Sequence, residues 1–241
     1  MWDSATNYDF LGILPDRKKE LVHNTCSYFA ISTKGIVLFF DKFNYKKYGK
    51  RSTWRNLGSH LNIKLGDGTH EKCPKKIDIL FKSKKYSHLV WLSQRAWIKT
   101  NIDLVWNLSH ELQHLHQDIT NHSISLAGNF IYNNLSGMDI EELKIQTTVP
   151  TEMDAELMSW RISRKVCGKH KVDLYVSENA KSGKKIEIFR DLLKYDPDDN
   201  YDVISKTISL LRKYQPQFED IIKYYRNLGS VDRLCTKLSE A

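Results

Sequence analysis

The clearest periodic segment of the chain follows Thr100. Apolar residues recur there with the 3.6-residue period of an amphipathic helix, at Leu104, Leu108, Leu112 and Leu115, and Val105 widens the stripe. Thr100 is a good N-cap, and Asp103 three residues later fits the capping-box position. The pattern therefore predicts a helix that begins after Thr100 and ends between Asp118 and Asn121.

A second strong helix is predicted from Pro150 onward. Thr151 is the expected N-cap, and Asp154 occupies the capping-box position three residues later. The apolar face of this helix is formed by Ala155, Met158 and Ile162. Gly168 follows Cys167 and is expected to end the helix, because glycine is the common residue at a helix C-terminus.

The remaining pattern predicts an α+β fold, with strands before the two strong helices and helices after them. The predicted strands cover 31–40, 77–81 and 87–98, with a turn at 66–68. The other predicted helices cover 15–23, 124–132, 139–145, 186–193, 203–214 and 218–228.

Composition is that of an ordinary soluble globular protein. The chain has 241 residues, of which 41% are hydrophobic and 27% are charged. No stretch approaches the ~18 consecutive apolar residues of a membrane helix, and no secretion signal is apparent, so we expect a cytoplasmic protein without membrane contact. The scattered cysteines predict neither a disulfide scaffold nor a cysteine zinc site; they are Cys26, Cys73, Cys167 and Cys235.

The net charge of +8 arises mostly from lysines and arginines between Lys42 and Lys85. One interpretation is a surface for nucleic acid or for an acidic partner. The other is a solvated basic face, which we favour because no recognised nucleic-acid motif accompanies the charge.

The helix predicted after Thr100 contains the sequence HELQH at 110–114, which fits the pattern HExxH. His110 and His114 differ by about 40° around a helix axis, so both imidazoles project from one face and can bind one metal ion. Zinc is the expected metal for neutral imidazole ligands. Glu111 is placed to take a proton from an attacking water and to pass it to a leaving amine.

A catalytic zinc site requires a third protein ligand. A histidine six residues beyond His114 would be one source, but that position is Thr120. A glutamate from a later helix is the alternative, as in sites with two histidines and one glutamate. Glu152 and Glu156 lie one turn apart on the helix predicted from Pro150. Either could bind zinc while the other accepts a hydrogen bond from a ligand histidine.

With both segments in hand, the chain resembles the glutamate-zincin metallopeptidases of the ImmA/IrrE-like group, in which HExxH is followed by a helix carrying ExxA(D/N). The second signature is EMDAE at 152–156. The resemblance covers about 77–166 and implies a zincin-like core, a small twisted sheet packed on the HExxH helix. It implies one zinc ion per chain, bound by His110, His114 and Glu152, with Glu111 as general base and Glu156 hydrogen-bonded to a ligand histidine.

The chain departs from that family in several places. Gln113 stands where glycine is common, and Glu156 stands where the second motif has Asp or Asn. Such sites also need a group that stabilises the transition state, for which Tyr132 and His122 are candidates. Family members often cleave a repressor or antitoxin, so a specific intracellular protein is the substrate class that the analogy suggests.

These features predict three segments, a basic α/β segment at 1–75, a catalytic core at 76–168 and a helical region at 169–241. The leading hypothesis is a zinc-dependent endopeptidase. A deformylase-like hydrolase would need a cysteine ligand in a motif with glycine and leucine, which neither Cys26 nor Cys73 provides. A further alternative is a zinc-containing binding protein that contacts nucleic acid or an acidic partner through 42–85.

Overall fold

The computed structural model describes residues 8–29, 31, 34–42, 56–65, 74–137, 142–182 and 185–214. It is a helix-rich α+β structure, as the sequence predicts, with a four-stranded mixed sheet. The strands are β1 (Tyr8–Gly12), β2 (Ile36–Asp41), β3 (Gly58–Asn62) and β4 (His88–Ser93). The helices are α1 (Asp16–Cys26), α2 (Lys75–Lys82), α3 (Gln94–Trp97), α4 (Asn101–Thr120), α5 (His122–Gly137), α6 (Glu142–Thr148), α7 (Pro150–Cys167), α8 (Lys169–Lys181) and α9 (Ile186–Leu192). A short 3-10 helix covers Ile63–Leu65, and residues 203–214 are also helical.

The sheet has the strand order β1-β2-β4-β3. The pairs β1–β2 and β2–β4 are parallel, whereas β3 runs antiparallel to β4 as an outer strand of the described sheet. Gly58 pairs with Leu92, and Asn62 pairs with His88. Because side chains alternate along a strand, Gly58, His60 and Asn62 face the same side as His88.

The opposite side of the sheet is an apolar core. Its buried members are Val37, Phe39, Leu61, Ile77, Leu80, Tyr86, Leu89 and Trp91. Ile77 and Leu80 come from α2, so this helix covers the face that Leu61 and Trp91 present. The segment 77–81 is therefore helical, and the predicted strand there is wrong. The same five residues also fit a short helix with one buried side, because Ile77 and Leu80 are three residues apart and lie on the same side of a helix.

Helix α4 forms as the sequence predicts, including its cap. The Thr100 hydroxyl accepts a hydrogen bond from the Asp103 amide at 3.0 Å, and the Asp103 carboxylate accepts from the Thr100 amide at 3.1 Å. The predicted stripe is buried: Leu104, Val105, Leu108, Leu112 and Leu115 are all fully inaccessible. The helix ends at Thr120, within the predicted range.

Helix α7 begins at Pro150, as predicted, but Thr151 lies within its first turn and is not its N-cap. Pro150 is already helical, and the amides of Glu152 and Met153 both bond the carbonyl of Val149, at 3.1 Å each. The Thr151 side chain instead packs against Gly128 of α5, where a Cβ would lie 2.2 Å from its Oγ1. Proline tolerates the first helical turn, which allows the helix to start at Pro150. Gly168, with φ 95°, follows its last residue as predicted.

Other elements differ from the sequence prediction in extent or were not predicted. The segment 87–98 divides into β4 and α3, and the strand predicted over 31–40 covers Ile36–Asp41. Strands β1 and β3 are not predicted by the sequence. Helix α8 lies within the region 169–241 that is predicted to be helical, but without bounds of its own. Residues 66–68 and 218–228 lie outside the described part of the chain.

The chain divides into two compact units. One comprises Met1–His116 and Met158–Val172, and the other comprises Gln117–Leu157 and Asp173–Ala241. Helices α4 and α7 contribute residues to both. The division into three segments at 75 and 168 stays a prediction. None of the helices in the described residues combines the length and apolar character that crossing a membrane requires.

Candidate metal centre

The two histidines of the HExxH motif face one another across a turn of α4. The Nε2 atoms of His110 and His114 are 3.1 Å apart, and the ring centroids are 4.7 Å apart in an edge-to-face arrangement. Two nitrogens bound to one tetrahedral zinc at 2.0–2.1 Å would be separated by about 3.3 Å. The pair is therefore close to the geometry that a shared metal ion requires.

The carboxylate of Glu152 joins these histidines. One ligand atom from each of His110, His114 and Glu152 lies within 4.8 Å of the other two, and all three residues are half-buried. Two imidazole nitrogens and one carboxylate oxygen form a donor set that suits zinc. These three residues could therefore hold a metal ion.

Gln117 positions the start of α7 relative to the end of α4. Its Nε2 donates to the Thr151 carbonyl at 3.0 Å and to Oδ2 of Asp154 at 2.7 Å. Glu152 lies between these two acceptors in sequence, and Gln117 follows His114 by three residues on one helix. The hydrogen bonds of Gln117 thus help to fix where Glu152 stands.

Glu111 is buried against the outer strand β3. A Cβ built on Gly58 would lie 3.0 Å from both Cγ and Oε1 of Glu111 and 3.0 Å from the carbonyl oxygen of Trp91. Glycine at this position therefore leaves the space in which the carboxylate rests. The acid that follows the first motif histidine is held beside the strand rather than in bulk solvent.

The structure contains a second group of residues that could hold a metal ion and that the sequence does not predict. His60 of β3, His88 of β4 and Asp118 of α4 also place one ligand atom each within 4.8 Å of one another. Burial, with smaller contributions from His88 and His114, holds the pKa of His60 well below its usual value. The His60 imidazole is therefore neutral at pH 7, the form in which histidine binds metals.

The other predicted site residues have different surroundings. The buried carboxylate of Glu156 lies 3.7 Å from Nζ of Lys185. The predicted hydrogen bond between Glu156 and a ligand histidine stays a prediction. His122 places Nδ1 2.5 Å from Oδ1 of Asp118. Tyr132 packs against an apolar cluster formed by Ile131, Leu135, Ile145 and Val149. His122 is not in the group that contains Glu152, and the transition-state role expected of His122 or Tyr132 stays a prediction.

The basic segment 42–85 is described only at 42, 56–65 and 74–85. Six of its thirteen lysines and arginines therefore lie outside the described residues, and its role stays a prediction. Comparison with protein families, with curated proteins and with solved structures found no match to this chain.

Proposed function

We propose that this protein is a zinc-dependent metallopeptidase with a zincin-like core. The observation that carries the proposal is the convergence of His110, His114 and Glu152 on one point, from two segments that the sequence separates by 37 residues between His114 and Glu152. A chance HExxH sequence would have no reason to meet a glutamate from the later EMDAE segment.

The donor set fits a catalytic zinc better than a structural one. Structural zinc sites are usually closed by four protein ligands, whereas catalytic sites have three and keep one position for water or substrate. Among the described residues three candidate ligands meet here, and all three are half-buried rather than enclosed. In such a site zinc polarises the scissile carbonyl and makes water more acidic.

Glu111 is the residue that moves protons in this proposal. Its carboxylate takes one proton from the attacking water, whose oxygen forms the new bond to the carbonyl carbon. The same carboxylate then gives the proton to the leaving nitrogen as the carbon–nitrogen bond breaks. Water is thereby divided between the two products, a carboxylic acid and an amine, and Glu111 returns to its starting state.

The outer strand β3 offers a place for the peptide. Glu111 lies against Gly58, so an extended peptide that paired with β3 would pass beside the general base. Backbone hydrogen bonds to an outer strand bind peptides with little dependence on sequence, and pockets for alternate side chains supply the selectivity. This arrangement favours hydrolysis within a peptide or protein, as for an endopeptidase.

Metal analysis of a matched pair of variants tests the proposal. Glu152→Ala removes the proposed third ligand, and Glu178→Ala removes an exposed glutamate of α8 as the control. We expect a zinc content about one ion per chain lower in the first variant than in wild type, and an unchanged content in the second. Glu152→Ala should also lose cleavage of a mixed peptide library, which mass spectrometry measures, and Glu178→Ala should retain it. Unchanged zinc and unchanged cleavage in Glu152→Ala would refute the proposed site.

A further inference from the structure

We propose that His60, His88 and Asp118 bind a second divalent transition-metal ion, separate from the zinc held by His110, His114 and Glu152. This inference does not depend on peptidase activity. It is based on a group of side chains that take no part in the chemistry proposed for the HExxH motif.

The two histidines come from neighbouring antiparallel strands and share one face of the sheet. His60 pairs with Val90, and His88 lies two residues further along the partner strand, opposite Asn62. Diagonal neighbours of this kind are within reach of long side chains. Nε2 of His60 and Nδ1 of His88 are 3.2 Å apart, close to the separation of about 3.3 Å expected for two nitrogens on one tetrahedral zinc.

Asp118 completes the set from α4. It follows His110 and His114 at the same four-residue spacing, so all three lie along one stripe of the helix. Its side chain is only 4% exposed, and Oδ1 lies 2.5 Å from Nδ1 of His122. A carboxylate has two oxygens, so Asp118 can accept from His122 and still bind a metal ion, an arrangement that commonly orients metal-binding carboxylates.

A metal ion accounts for this group better than a hydrogen bond between the histidines. One N–H···N bond would join only His60 to His88, whereas a metal ion would also bind the buried carboxylate of Asp118, which His122 contacts through Oδ1. Burying a carboxylate is costly unless cations or donors surround it. A divalent cation interacts with all three ligand atoms at once, and their mutual distances of at most 4.8 Å allow it. Two imidazoles and one carboxylate favour zinc, cobalt or iron over calcium or magnesium.

Zinc stoichiometry of the complete, tag-free chain tests this inference. After saturation with Zn²⁺ and removal of excess, we expect about two ions per chain in wild type. His60→Gln and Asp118→Asn should each retain about one, as should Glu152→Ala, and the combination of His60→Gln with Glu152→Ala should retain about none. His170→Gln, which removes an exposed imidazole of α8, is the control and should match wild type.

The pattern of loss separates failure of this inference from failure of the proposed catalytic site. Zinc contents in His60→Gln and Asp118→Asn equal to that of wild type would overturn the second site, whatever happens in Glu152→Ala. Loss of zinc in the first two variants but not in Glu152→Ala would support the second site and overturn the catalytic one. Far-ultraviolet circular dichroism should show that each variant is folded. If either His60→Gln or Asp118→Asn fails to fold, the zinc content of the other variant decides. If wild type binds only one zinc ion and Glu152→Ala loses it, the second site is overturned without the use of these two variants.

Discussion

Gly58 lies so close to Glu111 that any larger residue at position 58 would press against the Glu111 carboxylate. A Cβ at residue 58 would lie 3.0 Å from both Cγ and Oε1 of Glu111. The same Cβ would lie 3.0 Å from the Trp91 carbonyl oxygen, which belongs to the backbone of β4 and cannot easily move. A Cβ at residue 58 therefore requires a shift of the Glu111 side chain and a small adjustment of the β3 backbone away from the Trp91 carbonyl oxygen.

Replacing Gly58 with alanine should reduce peptide hydrolysis more than metal binding. The added methyl group requires the Glu111 carboxylate to move by a few tenths of an ångström. A displacement of about 1 Å at a catalytic group can lower the rate about 100-fold, so we expect a smaller loss than that. The zinc ligands belong to other positions, so zinc content should stay at the wild-type value. Ser59→Ala, on the opposite face of β3, is the matched control for both assays. Full hydrolysis in Gly58→Ala would mean that the position of Glu111 does not limit catalysis.

Glu111→Gln tests the general base directly. Glutamine has nearly the same shape as glutamate but cannot take up a proton, so turnover should fall by about 10²–10⁴-fold. Zinc content should be unchanged, because Glu111 is not among the ligand atoms that meet at His110, His114 and Glu152. Exposed Glu187 of α9 provides the control substitution, Glu187→Gln. A variant at position 111 with wild-type turnover would contradict the role assigned to its carboxylate.

The sequence predicts α4, its cap and the approach of its two motif histidines well because the relevant signals are local. The leucine stripe, the box formed by Thr100 and Asp103, and the four-residue spacing of His110 and His114 all depend on helix geometry. The need for a third ligand leaves Glu152 and Glu156 as alternatives, and the resemblance in sequence selects Glu152, since helix geometry does not relate positions in separate helices. The structure supplies the distance that joins it to the histidines.

The second group of histidines illustrates what local patterns miss. His60 and His88 are 28 residues apart, and only the antiparallel pairing of β3 with β4 brings them together. Each strand contributes one histidine, so neither contains the close spacing of two ligands that would indicate a metal site in the sequence. The four-residue step from His114 to Asp118 is visible in the sequence, but an aspartate near the end of a helix has many ordinary roles. Thr151 was misassigned for a related reason, because its contact with Gly128 of α5 is tertiary.

Gln117→Leu should weaken both the fold and the binding of zinc. The substitution removes the donor that bonds Thr151 and Asp154, and it leaves those acceptors without that partner in a buried setting. Loss of a buried hydrogen-bonding partner costs about 1–3 kcal/mol of unfolding free energy. Zinc affinity should fall as well, since Glu152 lies between the two acceptors. Asp154→Asn keeps an oxygen acceptor and is the milder control. Urea unfolding and zinc titration that match wild type would show that Gln117 does not position α7.

The cluster of Asp9, Lys85 and Tyr86 should make stability depend on pH in the acid range. Oδ2 of Asp9 accepts from Nζ of Lys85 at 2.7 Å and from the Tyr86 hydroxyl at 2.8 Å. Both hydrogen bonds lower the pKa of Asp9 in the folded protein, and the one from Lys85 has the larger effect. The folded pKa is below the unfolded one, so the stabilisation is present above the unfolded value of about 3.9. It is lost as the pH falls through the lower, folded pKa.

Asp9→Asn should therefore lower the denaturant midpoint at pH 7 and have a smaller effect in strong acid. The loss should be small, because the Asp9 side chain is 48% exposed and solvent screens its ion pair. Lys85→Gln should cause a similar loss at pH 7, and the double variant should lose less than the sum of the two. Urea unfolding at both pH values measures the effect. An Asp9→Asn deficit that grew as the pH fell would reverse the sign of the linkage and exclude the ion pair as its cause.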